Sequence, residues 1–352
     1  MKKLICTLWV MAGFFIVPAF GQADSVDVTY TVTDDYLNLF ESDEILEVSL
    51  EFDITTFRRK RSDVEYLDAQ LKYTDGGTDT VVKDLRLRAR GEFRRTFCDY
   101  PPIRLNFKKS KSPDDEFSEI DKLKVVTHCK AGNEDYLLRE YLVYKMYNVL
   151  TDHSHRVRLM KINYVNTNKQ TKPMSAFAFV IEPDEYFAKR LGGAKISMEK
   201  LTQKNIKPES MDRTAIFNYM IGNVDWSVPG QHNIIIISQP RTERPDLGTI
   251  VAYDFDYSGI VNTDYAIPHE ALPIQSVRQR YYMGICRTEE EFRKSLVQFE
   301  EKKDAFYQVI REFPYLKERS KKDMMTFMDG FFNMFDRRYS IVYSLLNNCK
   351  DF

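Results

Sequence analysis

Four consecutive isoleucines, Ile234 to Ile237, separate two segments that each end in a cluster of oxygen-bearing side chains. Gly222-Asn-Val-Asp225-Trp-Ser-Val-Pro-Gly-Gln-His-Asn233 comes before them. Tyr253-Asp254-Phe-Asp256-Tyr-Ser-Gly259 comes after a second apolar run, Thr249 to Tyr253. A β-branched run bounded by turn residues reads as a buried strand. Loop, strand, strand and acidic turn then bring Asp225 and Asn233 to the same end of one hairpin as Asp254 and Asp256. Hard divalent cations such as magnesium or manganese take carboxylate and amide oxygens, and phosphoryl transfer needs a positioning carboxylate beside them.

The chain opens with a basic head, Lys2 and Lys3, then an apolar stretch from Leu4 to Phe20 that ends in small residues around Ala19-Phe20-Gly21. This layout predicts a secretory signal peptide over residues 1–21, with Gln22 as the new N-terminus. Cleavage in the Gly21-Gln22-Ala23 frame and an uncleaved anchor are the alternatives. Cys6 lies in mid-run, which speaks against a lipid-anchored N-terminus. No later run is long and apolar enough to span a bilayer, so the expectation is an exported protein, periplasmic or extracellular, with no stable membrane anchor after cleavage. The balance of 51 Lys and Arg against 52 Asp and Glu exerts no global pull toward nucleic acid or acidic membrane.

From Val26 to Lys108 the texture is β. Ile45 to Phe52 and Val81 to Arg90 alternate, and Asp75-Gly76-Gly77 marks a turn. Residues 110–119 read as a polar surface loop, and Lys122 to Thr127 as another strand. Leu137, Leu138, Tyr141, Leu142, Met146 and Tyr147 form a helical stripe over Glu134 to Leu150. Val157 to Val165 and Ser175 to Glu182 return to β. Helices are expected over Pro183 to Leu191 and Glu209 to Gly222. A further helix opens at the capping box Thr288-Glu-Glu-Glu291 and runs toward Glu312, followed by helical spacing from Lys321 to Asn347. The order gives an α+β chain of two lobes: a β-rich N-terminal lobe with one helix over residues 22–182, and a C-terminal lobe over 183–352 with the acidic hairpin and a helical tail.

Four cysteines remain after cleavage and allow three pairings. Cys98 with Cys129 is favoured because each lies beside a strand-like run; buried free thiols are the alternative. His128-Cys129 lacks the paired spacing of a zinc site.

Arg86, Arg88 and Arg90 alternate with Leu85, Leu87 and Ala89, so three guanidiniums share one strand face. Phosphate, which the guanidinium fork matches, or nearby carboxylates would compensate them; a solvated edge face is the plainer alternative. Arg104, Asn106 and Lys108 likewise point away from Ile103, Leu105 and Phe107. If that face lines a cleft, Arg104 or Lys108 would hold phosphate and pair with Glu140. Asp225, Gln231, Asn233, Asp254 and Asp256 also have a simpler role open to them, as turn caps.

Taken in order, Asp225, Asn233 and then Asp254 or Asp256 resemble the spore-coat protein H (CotH) kinase family, which has an atypical protein-kinase-like fold. The resemblance covers roughly Leu85 to Gly259 and implies the two-lobed kinase-like fold. It makes Asp225 the catalytic aspartate and Asn233 with Asp254 or Asp256 the metal ligands. Glu182, in Ile181-Glu182-Pro183, falls where a kinase hinge receives adenine. Magnesium or manganese and ATP or another nucleotide follow as expected cofactors. Asp254-Phe-Asp256 stands where kinases carry Asp-Phe-Gly, and no Gly-rich phosphate loop precedes Arg104. The chain is also similar to a group of uncharacterised exported bacterial proteins with an RG…C…PP…HC…DYSG layout.

Two functions are therefore expected from different classes. One is an exported magnesium-dependent kinase that moves a phosphoryl group from a nucleotide to a protein or sugar hydroxyl, with Arg88, Arg90, Arg104 and Lys108 neutralising phosphate. The other is a catalytically inactive kinase-fold envelope protein that binds a glycan or protein partner. Scarcity of ATP outside the cytoplasm favours the second, and the full set of acidic positions favours the first. Neither a GxSxG elbow nor an HExxH helix supports a hydrolase.

Overall fold

Alternating burial puts Leu46, Val48, Leu50 and Phe52 on one face of β1 (Leu46–Phe52). Inward-facing residues recur in β2 (Leu67–Thr74), β3 (Thr80–Ala89), β4 (Ile103–Phe107), β5 (Lys122–Thr127), β6 (Val157–Asn166) and β7 (Met174–Ile181). These strands close into a seven-stranded mixed barrel in the order β1-β2-β3-β4-β5-β7-β6. Every neighbouring pair is antiparallel except the closure, where β1 runs parallel to β6 with Leu46 opposite Met160. Closure leaves no unpaired sheet edge. Leu50, Leu71, Leu87, Leu105, Val125 and Ile162 fill the interior.

This computed structural model describes residues 38–74, 80–107, 117, 120–168, 172–197, 201–240, 243, 246–337 and 340–350. The expected signal peptide, the Asp75-Gly76-Gly77 turn, most of the polar loop and Lys108 lie outside them.

The two-lobed kinase-like architecture implied by the resemblance is not the one adopted. The N-terminal strands form a closed barrel, and the C-terminal part combines helices with a smaller sheet of its own. Period-two alternation sets which face of a strand is buried. It does not say which strands meet, and the barrel depends on a parallel contact between segments over a hundred residues apart.

Of three short helices, α1 (Asn38–Glu41) precedes β1, α2 (Ile54–Lys60) follows it, and α3 (Phe93–Phe97) lies between β3 and β4. The longer α4 (Glu134–Leu150) follows β5 and is buried along eleven of its seventeen residues. The buried residues include Arg139 and Glu140 beside the apolar stripe, so the helix is covered well beyond that stripe. It packs on β6, β7 and, in the helical part, α8 (Lys303–Arg311). Leu159, Phe179 and Ile181, on the outer faces of the barrel strands, share its core.

After α5 (Asp184–Arg190), the strands β8 (Ala194–Ile196), β9 (Ile234–Ser238) and β10 (Thr249–Ala252) form the second sheet, antiparallel and ordered β10-β9-β8. The isoleucine run is β9, buried on both faces. Helix α6 (Pro208–Ile221) covers β10 and ends on Gly222 in the left-handed conformation, φ 68°. Thr288 and Glu291 form the expected reciprocal capping box, opening α7 (Glu289–Glu301), which breaks at Lys302 before α8. Helices α9 (Glu318–Asp336) and α10 (Ser340–Leu346) complete the helical part.

Cys98 and Cys129 are bonded as expected, and Cys286 with Cys349 forms a second disulfide. Disulfides belong to oxidising compartments. Among the described residues no helix is long and apolar enough to cross a membrane.

Candidate functional site

Strand register brings the two acidic segments together. Ala252 lies opposite Ile234, and the Tyr253 amide donates to the Asn233 carbonyl at 3.1 Å, so Asn233 and Asp254 emerge at the same end of the hairpin. A second link joins the flanking loops: the Gly259 amide donates to the Gly222 carbonyl at 3.0 Å. This approach needs glycine, because a Cβ at Gly259 would run into the Val277 carbonyl.

Asp225 is tied to Asn233 twice, since the Asn233 Nδ2 donates to the Asp225 carbonyl at 2.8 Å and to its Oδ2 at 3.0 Å. The other carboxylate oxygen lies 3.0 Å from His232 Nε2. Gln231, Asn233 and Asp254 all have positive φ, at 46°, 51° and 62°. Outside glycine the left-handed backbone is best tolerated by asparagine and aspartate, as at Asn233 and Asp254, and its clustering here marks loops held by their surroundings. The Asp254 amide donates to the Tyr144 hydroxyl of α4 at 2.8 Å.

Asp256 is the buried member. It accepts from the Tyr265 hydroxyl at 2.8 Å and lies 3.9 Å from Arg94 Nη1. Burial, and then the charge of Asp254, push its carboxyl up to about 7, with Asp225 adding in the same direction. Glu140 on α4 is also buried, and burial raises its carboxyl well above the usual range against the opposing pull of Arg94. Its cationic partner is Arg94 on α3, at 3.3 Å, in place of the expected Arg104 or Lys108. Arg94 also donates to the Thr127 carbonyl at 2.8 Å, while its Nε and Glu140 Oε1 are buried without a hydrogen-bond partner.

Arg90 is half-buried, and its charge acts on Glu140, Tyr144 and Tyr253. Among the described residues its guanidinium has no hydrogen bond or ion pair. Arg88 and Arg104 face each other across β3 and β4, and Arg104 faces Lys124 across β4 and β5. Burial, then the charges of Arg90 and Arg88, hold the Arg104 guanidinium below its usual value. Arg86 and Arg88 stack on Tyr66 at 5.4 and 5.3 Å, and Lys124 ends the row against Asp184 at 2.8 Å.

Glu182 sits apart from this group in its bonding. It is fully buried, accepts two hydrogen bonds of 2.9 Å from Arg190, and takes a third from the Arg156 amide at 3.0 Å. That arrangement is a closed internal ion pair, and it uses the carboxylate that the resemblance put at a nucleotide hinge.

Sequence reasoning passed over Arg94, Tyr144, Tyr265 and the contact of His232 with Asp225. Nothing in Phe93-Arg-Arg-Thr-Phe97 marks Arg94 over Arg95: the helix has one turn, neither flanking phenylalanine is buried, and the partners of Arg94 are distant in sequence. Among the described residues no group of three or more His, Cys, Asp or Glu side chains is close enough to hold a metal by itself. No protein-family model and no curated sequence matches this chain.

Proposed function

We propose that this is an exported, magnesium- or manganese-dependent phosphotransferase that moves a phosphoryl group from a nucleotide to a protein or sugar hydroxyl. The observation that carries the reading is that hairpin register brings Asn233, bonded to Asp225, to the same end as Asp254, beside a buried Asp256 whose carboxyl is raised to about 7 by burial and then by the charge of Asp254. Like charges brought together this way are relieved by a proton or a cation. Asp254 and Asp256 would hold the cation with Asn233 beside them, and the incoming phosphate would complete its shell. The bound cation would supply charge neutralisation at the transferring phosphoryl group.

The chain's own residues divide the remaining work. Asp225, oriented by the Asn233 amide, is placed to position an acceptor hydroxyl and receive its proton. Arg90, with no hydrogen bond or ion pair among the described residues, offers its guanidinium to phosphate oxygens. Arg94 and Tyr265 hold Asp256 from its buried side. The disulfides support a periplasmic or extracellular setting.

The second reading, a silent protein that binds a glycan or protein partner, draws on the bonding of Asp225. Both of its carboxylate oxygens are engaged, by His232 and Asn233, as in a loop clamp. A thermal-shift panel of ATP, other nucleotides and sugar phosphates, each with and without magnesium or manganese, separates the two. Stabilisation that needs nucleotide and cation together supports the enzyme; no such stabilisation across the panel supports the clamp.

A further inference from the structure

A cavity of about 510 Å³ opens beside α2 and the far end of β6, and none of the carboxylate-cluster residues lines it. Arg58, Arg59, Arg61 and Lys172 do, with no Asp or Glu among the described lining residues. Their charges are poorly compensated. The nearest carboxylate to Arg58 is Asp99, exposed and 3.9 Å away. Arg61 directs its guanidinium to the backbone carbonyls of Arg58 and Thr96, which satisfy hydrogen bonds without cancelling charge. Arg59 and Lys172 make no hydrogen bond or ion pair among the described residues. Asp53, which feels Arg59, already accepts from the Thr56 amide and from Asn168.

A basic last turn favours the end of a helix through the helix dipole, which accounts for the sign of Arg58 and Arg59. It does not account for Lys172, which arrives from the connection between β6 and β7. Arg61 also takes the left-handed C-cap position of α2, φ 47°, a place that glycine or asparagine usually fills.

Two aromatic rings line the same cavity. Tyr100 carries Arg58 over its face at 5.0 Å and is linked to Cys129 through a backbone bridge, so the Cys98–Cys129 disulfide braces it. Tyr164 is 2% exposed, and its hydroxyl is buried with no hydrogen-bond partner. Cations facing an aromatic wall suit a ligand with an anionic group on a polar, ring-shaped body. The volume falls within the range of small-molecule sites.

We propose that this cavity binds an anionic monosaccharide or short oligosaccharide, with a phosphate or carboxylate held by Arg58, Arg59 and Lys172 and the sugar ring beside the stacked Arg58 and Tyr100. The site is independent of the phosphotransferase reading and needs no divalent cation.

Calorimetric titration of the mature protein in EDTA, with glucose 6-phosphate, glucuronate and glucose as probes, tests it. At least one anionic sugar should bind while glucose does not, and the better of the two identifies the oxyanion. The Arg59→Gln/Lys172→Gln double variant, which removes no internal bond, should keep the parent's melting temperature and bind at least tenfold more weakly. Asp254→Asn should bind like the parent, which separates this cavity from the carboxylate cluster. Absence of binding by either anionic sugar, equal binding of glucose and glucose 6-phosphate, or parent-like affinity in the double variant would overturn the proposal.

Discussion

The side-chain amide of Asn233 grips Asp225 at two points, its carbonyl and its Oδ2, from a residue that itself holds a left-handed backbone. One residue thus fixes both the loop after α6 and the direction of the Asp225 carboxylate. Replacing it by alanine leaves the Asp225 oxygens less satisfied and puts a Cβ-bearing residue without a compensating bond at positive φ. Asn233→Ala should lose about 1–3 kcal/mol of stability in urea unfolding. Asn233→Asp, which replaces the donor with a third negative charge beside Asp225, should lose at least as much.

Burial and the neighbouring Asp254 charge raise Asp256 to about 7 from an ordinary 3.8. A carboxyl that holds its proton more tightly folded than unfolded stabilises the fold below the unfolded value. That contribution is lost as pH rises through the window from 3.8 to about 7. Thermal melts between those limits should show the decline, and Asp256→Asn, which stays neutral, should flatten it. In the proposed enzyme, manganese affinity should rise over the same window as the carboxylate is freed.

Arg94 and Glu140 are a buried pair, so breaking it from one side should cost more than removing it whole. Arg94→Met leaves Glu140 with a buried carboxyl and no cation, at a cost of about 3–5 kcal/mol. Adding Glu140→Gln should return part of that loss. A double-mutant cycle by chemical denaturation measures the coupling, and strictly additive losses would count against the pair.

Much of this arrangement was legible because it is local. The α4 stripe, the Thr288 capping box and the isoleucine strand each follow from spacing within one turn or one strand, and the acids at the hairpin end follow from that strand. What escaped is non-local. The parallel contact of Leu46 with Met160 that closes the barrel leaves no mark on either segment, so alternation gives a β-rich lobe but not its closure, and the kinase-like architecture rests on the resemblance alone. The partner of Glu140 is expected at Arg104 or Lys108, on the same face of an alternating run, yet it lies on the five-residue helix α3, too short for any period to show. Asp254 and Asp256 were two residues of one motif in sequence. Only the fold makes one of them buried and Tyr265-bound and leaves the other more accessible.

The two disulfides close segments of 31 and 63 residues. Each should contribute about 2–4 kcal/mol by restricting the unfolded chain. Non-reducing peptide mapping should recover Cys98 with Cys129 and Cys286 with Cys349, and reduction should lower the melting temperature without a change in the order of pairing on reoxidation.

Calorimetric titration of ATP into the mature protein with magnesium, run in parallel on Asp254→Asn and Asp225→Asn, addresses the phosphotransferase reading most directly. Asp254→Asn removes a full charge from the cation site and should weaken magnesium-dependent binding at least tenfold. Asp225→Asn should bind nucleotide like the parent but fail to transfer phosphate to an acceptor, because an amide cannot take the hydroxyl proton. A parent protein that binds no ATP with magnesium present, nor with manganese in its place, would contradict the reading and leave Asp225, Asn233 and His232 as a loop clamp.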